Sequence, residues 1–331
     1  MMNVLQNFRK ITVLLLISIT QAQFLSAHEK NRACNNHYKH TFFCDLCGCS
    51  TSSGSFGFGT LSNANFVGVR YLYQNFESKN GIFENSPISK EVFRTYQLWA
   101  QIPVIKTFYL SANVPYHDLS RTFNGITENI SGLGDSSLIG WYKLIFYKKQ
   151  NEETLNFDVK KEASGHSIQF GLGLKLPTGE FEERLADNIN PGFQVGTGST
   201  DGILSFGYNY GGNTLGVNTL FSYYLKGENK NEYQFGNQFS YTTNLYTALS
   251  TKKMNIMPFL GVSGDIYSSI KQYGETLNDT DGSIINASLG SEFAVEDFIF
   301  GASYTLPVNQ NLFGHDVKSK QRISVYINYA L

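Results

Sequence analysis

Past residue 27 this sequence has no apolar run near the roughly 20 residues that a membrane-crossing helix needs, which excludes a bundle of membrane helices. Cysteine is absent after residue 49, so no disulfide framework holds the bulk of the chain. Proline is scarce, with 7 residues against 31 glycines. Neither sign of charge dominates: 26 Lys and Arg against 27 Asp and Glu leave a net charge of -1. That gives no electrostatic footprint for nucleic acid, and no charge block marks an acidic or basic tail. No glycine-rich phosphate loop precedes a helix. Histidine stands beside a partner at Gly165-His166-Ser167 and Tyr116-His117-Asp118. Adjacent residues on a strand point to opposite faces, so neither set works as a relay. The chain is therefore read as no enzyme.

What the chain has is aromatic and glycine residues arranged in alternation. There are 26 Phe and 20 Tyr, a mixture that favours β-structure with tight turns. The final residues, Ser319 to Leu331, place Ile323, Val325, Ile327, Tyr329 and Leu331 on one face. Arg322, Ser324, Tyr326 and Asn328 fall on the other. Strict period-2 alternation is a strand with one apolar and one polar side. Such a strand at the end of a chain suits the closing strand of an outer-membrane barrel.

Eleven earlier segments repeat the pattern, centred near residues 70, 98, 112, 142, 172, 206, 218, 238, 260, 289 and 302. The cleanest sets Ile168, Phe170, Leu172, Leu174 and Leu176 against Gln169, Gly171, Gly173 and Lys175. Twelve is even, as single-chain bacterial barrels require. A strand of about 11 residues tilted by about 40° rises roughly 28 Å, enough for an apolar band. Short turns are expected near 105–106, 210–213, 250–253 and 296–297. Longer, polar loops are expected at 77–90, 123–132, 177–195, 226–230, 270–281 and 310–318. The charged stretch 148–163 is long on the side where turns should be short.

The fold class is thus all-β: a transmembrane antiparallel up-and-down β-barrel of about twelve strands, occupying residues 64–331. The polar faces predict a lumen lined by Arg70, Gln97, Gln101, Asn113, His117, Lys143, Gln169, Lys175, Gln234, Gln238, Glu292 and Arg322. Outer-membrane lipid, the barrel-assembly machinery and a small-molecule solute are the expected partners.

Two segments precede the barrel. Residues 1–27 read as a secretory signal peptide, with Arg9 and Lys10 before the apolar Ile11 to Ile19 and small residues offering cuts after Ala22 or Ala27. Residues 28–63 hold all four cysteines, Cys34, Cys44, Cys47 and Cys49, with His37 and His40 nearby and a Gly/Ser linker behind. Thiolate and imidazole suit copper or zinc. An exported chain also meets oxidising conditions, which favour disulfides. Both readings stand. The segment is expected in the periplasm or the lumen.

Two passages carry a family likeness. One is Gly132-Leu-Gly134-Asp135-Ser-Ser-Leu. The other is Leu176-Pro177-Thr178-Gly179 followed by Gln194-Val-Gly196-Thr-Gly198-Ser199-Thr-Asp201. Together they resemble the outer-membrane barrels of the meta-pathway phenol-degradation family, called transporters. Cys44-Asp-Leu-Cys47-Gly-Cys49 with Asn65-Phe-Val-Gly-Val-Arg-Tyr resembles a Bacteroidota-type subset of it. The resemblance implies transport of small, hydrophobic or aromatic compounds. Read physically, Pro177 ends a strand and Gly179 allows a turn, so the motif shapes one large hairpin.

Overall fold

The computed structural model describes residues 65–79, 87–146, 165–185, 188–212, 215–251 and 254–331. The export signal, the segment with Cys34, His37, His40, Cys44, Cys47 and Cys49, and the stretch 148–163 lie outside the described residues. Twelve barrel strands follow one another. They are β1 (Phe66–Lys79), β2 (Ile88–Ile105), β3 (Phe108–Phe123), β4 in two pieces (Ile126–Leu133 and Ser136–Ile145), β5 (Gly165–Leu176) and β6 (Asp201–Gly211). Then come β7 (Leu215–Leu225), β8 (Gln238–Thr247), β9 (Asn255–Tyr267), β10 (Gly282–Val295), β11 (Phe298–Leu312) and β12 (Val317–Ala330).

Every strand pairs antiparallel with the strands next to it in sequence. β12 then returns to β1, with Tyr329 opposite Val67 and Ile323 opposite Tyr73. The ring is thereby closed, and each of the twelve strands has a paired neighbour on both sides over at least part of its length.

The two faces divide by chemistry. Val69, Leu98, Leu172, Leu260 and Leu289 are each more than half exposed. Arg70, Gln97, Asn113, Gln169 and Glu292 are each less than a tenth exposed. A soluble protein does the reverse; apolar outside and polar inside is the pattern of a barrel in lipid. On the outer face an aromatic row crosses β5 to β8, through Phe170, Phe206, Phe221 and Phe239, at ring spacings of 5.4, 6.3 and 6.2 Å. Cross-strand aromatic pairs of this kind stabilise register.

Two expectations are corrected. Residues 123–132 are not a loop. Asn124 (φ 49°) and Gly125 (φ 80°) make a two-residue turn, the left-handed geometry that a tight hairpin needs. Ile126–Leu133 then pairs along β3, Phe123 opposite Ile126. β2 has 18 residues and β3 has 16, more than the roughly 9–11 needed to cross the bilayer. Their loop-end portions stand beyond the apolar band, so outward positions there, such as Thr127 and Asn129, are polar and the alternation fades. Second, Gln234 is not on a barrel strand. Tyr233–Gln234 pairs with Lys271–Gln272 in a small ribbon, and the barrel strand begins only at Gln238. Phe235, which alternation from a lumen-facing Gln234 would turn toward lipid, is 4 % exposed and packs inside.

Candidate functional site

The site begins with one extra residue in β4. Tyr116 pairs with Leu133, and Asn113 pairs with Ser137. Two residues of β3 therefore lie opposite three of β4. This is a β-bulge, and it reverses which positions point inward. Ile130 is buried before it; Ile139 and Trp141 are buried after it. The bulge turns Asp135 into the barrel, where it is fully buried.

Asp135 is the hub of a polar network. Its carboxylate accepts from the Gly179 N–H at 3.0 Å, the Thr197 N–H at 2.9 Å and the Thr197 hydroxyl at 2.6 Å. The Lys175 ammonium lies 3.1 Å away. Lys175 also reaches Asp201 at 2.8 Å and donates to the Thr197 hydroxyl; Lys226 meets Asp201 at 3.2 Å. Asp201 further accepts from the Ser199 hydroxyl (2.9 Å) and the Gly227 N–H (3.1 Å). The four ionic side chains are at most 1 % exposed. Two cations and two anions compensate each other, and the spare oxygens take hydrogen bonds, which is the condition for keeping buried charge.

This network pins segment 177–200, which joins β5 to β6. The Thr178 hydroxyl donates to the Gly134 carbonyl at 2.7 Å and accepts from the Ser136 N–H at 2.9 Å. The Gln194 side chain makes a reciprocal pair with the Glu183 backbone, at 2.8 and 3.0 Å. The Gly196 N–H donates to the Glu180 carbonyl at 2.8 Å. Gly179 and Gly196 lie backbone against backbone: a Cβ on Gly196 would stand 2.5 Å from the Gly179 carbonyl. Gly198 has φ +69° beneath the Phe181 ring. Pro177 ends β5 at the exposed rim. Outside the barrel, Lys230 sits 2.6 Å from Glu182, and Asn231 donates to the same carboxylate at 3.0 Å. These bonds hold Glu182 below the usual carboxylate range.

Segment 177–200 carries Phe193 and Val195 into an apolar knot at the loop end. They meet Phe76, Phe93, Leu119 and Ile130 from β1 to β4, and Tyr233, Phe235 and Ile270 from the other loops. Phe93 and Phe193 are 6.1 Å apart, and the Arg121 guanidinium lies 4.8 Å from the Phe193 ring while pairing with Glu128 at 2.6 Å. Each buried phenylalanine contributes about 1.5–3 kcal/mol, so the knot and the polar hub hold the same segment by independent means.

Farther from the loops the interior is polar with inserted aromatics. The inward residues of β2 run Phe93, Thr95, Gln97, Trp99, Gln101. Arg70 donates to Gln97 at 2.7 Å and stacks 4.3 Å from the Trp99 ring. Trp99 meets Tyr326 edge-on at 5.5 Å, and the Tyr326 hydroxyl donates to Glu292. Tyr109 stacks on Trp141 at 5.9 Å and donates to Gln169 at 2.6 Å. His117 lies 2.9 Å from the Thr95 hydroxyl. Gln238 and Ser240 both donate to Asp265, at 3.1 and 2.6 Å. Gln101 and Asn113 are buried; Lys143 and Arg322 are half-buried, and Arg322 pairs in register with Gln74 and Thr305. Gln234 instead donates to the Lys226 carbonyl at 2.7 Å.

The structure thus joins Gly134, Asp135, Thr178, Gly179, Gln194, Gly196, Gly198, Ser199 and Asp201 around one segment. Of the expected lining residues, only Lys175 belongs to that hub. Thr197 and Lys226 were missed. Thr197 lies inside the motif, between its glycines; Lys226 has no sequence signal beyond following a strand. Trp99 shares the parity of Gln97 and Gln101, which was the signal that it faces inward.

Over residues 91–322 the sequence matches the family model described as "Putative MetA-pathway of phenol degradation". The fold is similar to that of the COG4313 outer membrane channel from Pseudomonas putida F1, with a TM-score of 0.56 and 11% identity over 80% of this chain and 96% of that one. The translocator domain of the autotransporter NalP from Neisseria meningitidis is more distant, with a TM-score of 0.42 and 12% identity over 87% of this chain and 95% of that one. No curated protein matches the sequence.

Proposed function

This chain belongs to the phenol-degradation family of outer-membrane barrels, and from that premise we propose that it is a channel for small solutes of hydrophobic or aromatic character. The carrying observation is a polar interior whose loop end is filled by an apolar knot, to which segment 177–200 contributes Phe193 and Val195. The family description and the inward rings of Trp99, Tyr109, Trp141 and Tyr224 support an aromatic cargo. The apolar knot offers such a solute a place to partition, and the Arg70, Gln97 and Asn113 belt offers polar contacts beyond it. The barrel-assembly machinery inserts the chain after export, and the Cys-containing segment lies in the periplasm or the lumen.

Proteoliposomes holding the purified barrel test this reading. A neutral aromatic such as phenol, passive leak subtracted with protein-free vesicles, is expected to enter faster than a sugar alcohol of similar size. Equal rates would overturn the hydrophobic preference, and no protein-dependent flux of either would overturn the channel.

A second reading rests on the spacing Cys44-x-x-Cys47-x-Cys49. Three thiolates so close suit a copper or zinc ion. Protein purified under reducing conditions is then expected to carry stoichiometric metal that a Cys44→Ser/Cys47→Ser variant lacks. Disulfides found intact by mass spectrometry would replace this reading.

A further inference from the structure

We infer that the outward faces of β12, β1 and β2 at the loop end bind the phosphate groups of the glycolipid that forms the outer leaflet of a bacterial outer membrane. This inference rests on the membrane barrel and not on the solute it conducts. The outward residues of β1 run Val67, Val69, Tyr71, Tyr73, Asn75, Glu77, Lys79. The apolar band therefore ends in tyrosines and is followed by charge. Tyr71 stands opposite Tyr96 at 5.1 Å, at the depth where aromatic rings mark a membrane interface. Arg94 comes next, opposite Tyr73 and 3.3 Å from Asp118.

Beyond it, Glu77 lies between Lys90 on β2 and Lys318 on β12, each its direct register partner. Neighbouring strands are about 4.8 Å apart, which sets the two lysines roughly 10 Å from each other across β1. Lys320, at a bulge in β12, pairs with Glu77 at 2.7 Å. Lys79, Lys90 and Lys318 have no ion pair among the described residues. The patch holds five cations, Lys79, Lys90, Arg94, Lys318 and Lys320, against Glu77, Asp118 and Asp316, whose carbonyl accepts from the Lys79 N–H.

The excess charge is local. Among the described residues, the loops joining β5 to β6 and β7 to β8 carry Glu180, Glu182, Glu183, Glu228 and Glu232, against Arg184 and Lys230 outside the barrel. From Tyr73 to Glu77 the strand climbs about 10 Å, enough to cross the headgroup layer of about 5–7 Å that lies on each side of the hydrocarbon. A cationic surface continuous with the lipid-facing band and lying at that depth meets headgroups. Three ammonium groups that form no ion pair among the described residues, set around Glu77, select phosphate among them.

The test uses the full-length barrel in detergent, titrated with bisphosphorylated outer-leaflet glycolipid and followed by native mass spectrometry. Removing three lysines, as Lys79→Gln/Lys90→Gln/Lys318→Gln, is expected to weaken binding roughly a hundredfold. The triple Lys→Arg variant keeps it. Glycolipid stripped of phosphate binds the parent as weakly as intact lipid binds the Gln variant, and millimolar inorganic phosphate displaces none. Parental affinity in the Gln variant, or equal binding of the stripped lipid, would overturn the inference, as would displacement by free phosphate. The three side chains point outward and carry no ion pair, so the variants keep the barrel; its heat-modifiable mobility on a gel verifies this.

Discussion

An Asp135→Ala barrel in a planar bilayer should pass several times the current of the parent at the same voltage. The carboxylate accepts two backbone and one hydroxyl hydrogen bond and faces Lys175 at 3.1 Å. Removing it leaves the Gly179 and Thr197 N–H groups without an acceptor and unbalances a fully buried charge cluster. Breaking a buried ion pair from one side costs about 3–5 kcal/mol. That cost falls on the closed arrangement of segment 177–200, because the barrel wall does not need Asp135 for its ladder. Release of the segment withdraws Phe193 and Val195 from the knot and widens the path. Asp135→Asn keeps an acceptor oxygen but loses the charge beside Lys175, so its conductance should lie between the two. Limited trypsin digestion should cut the segment after the exposed Arg184 in Asp135→Ala before it cuts the parent. Parental conductance together with parental protection of the segment would sink the idea that Asp135 holds the channel closed.

Much of this architecture was legible in the alternation. Ile323 to Leu331 read as a closing strand, and it is the strand that meets β1. Period 2 works because lipid outside and a polar interior sort every position by its parity. The same logic failed where its premise failed. In Ile126–Leu133 no lipid covers the outward face, so nothing demands apolar residues there. At Gly134–Asp135 one extra residue reverses parity, and a pattern read through it mixes the two faces. Around Gln234 two loops pair with each other rather than with the wall, and alternation cannot say which partner a strand takes. The hub was half legible: the glycines and Asp135 stood out as a motif, yet nothing local joins Asp135 to Lys175, its ion-pair partner 40 residues later in sequence. Such a pair is made only when β4 and β5 meet.

A steric route to the same open state should have as large an effect. Gly196→Ala puts a methyl where the Gly179 carbonyl already stands, at 2.5 Å. Backbone faces it on that side, so a rotamer change cannot relieve the contact, and the segment must move. Gly196→Ala should therefore raise conductance as far as Asp135→Ala does, without altering a charge or a hydrogen-bonding side chain. The double variant separates one device from two. Independent contributions add, whereas contributions to one shared contact do not. If the hub and the glycine crossing hold one segment in one place, the double variant conducts like either single variant. Its thermal stability falls no further than the larger single loss, within about 0.5 kcal/mol. A double variant that conducts markedly more than both would mean that charge and close packing restrain different parts of the lumen, and the single-latch account would have to be abandoned.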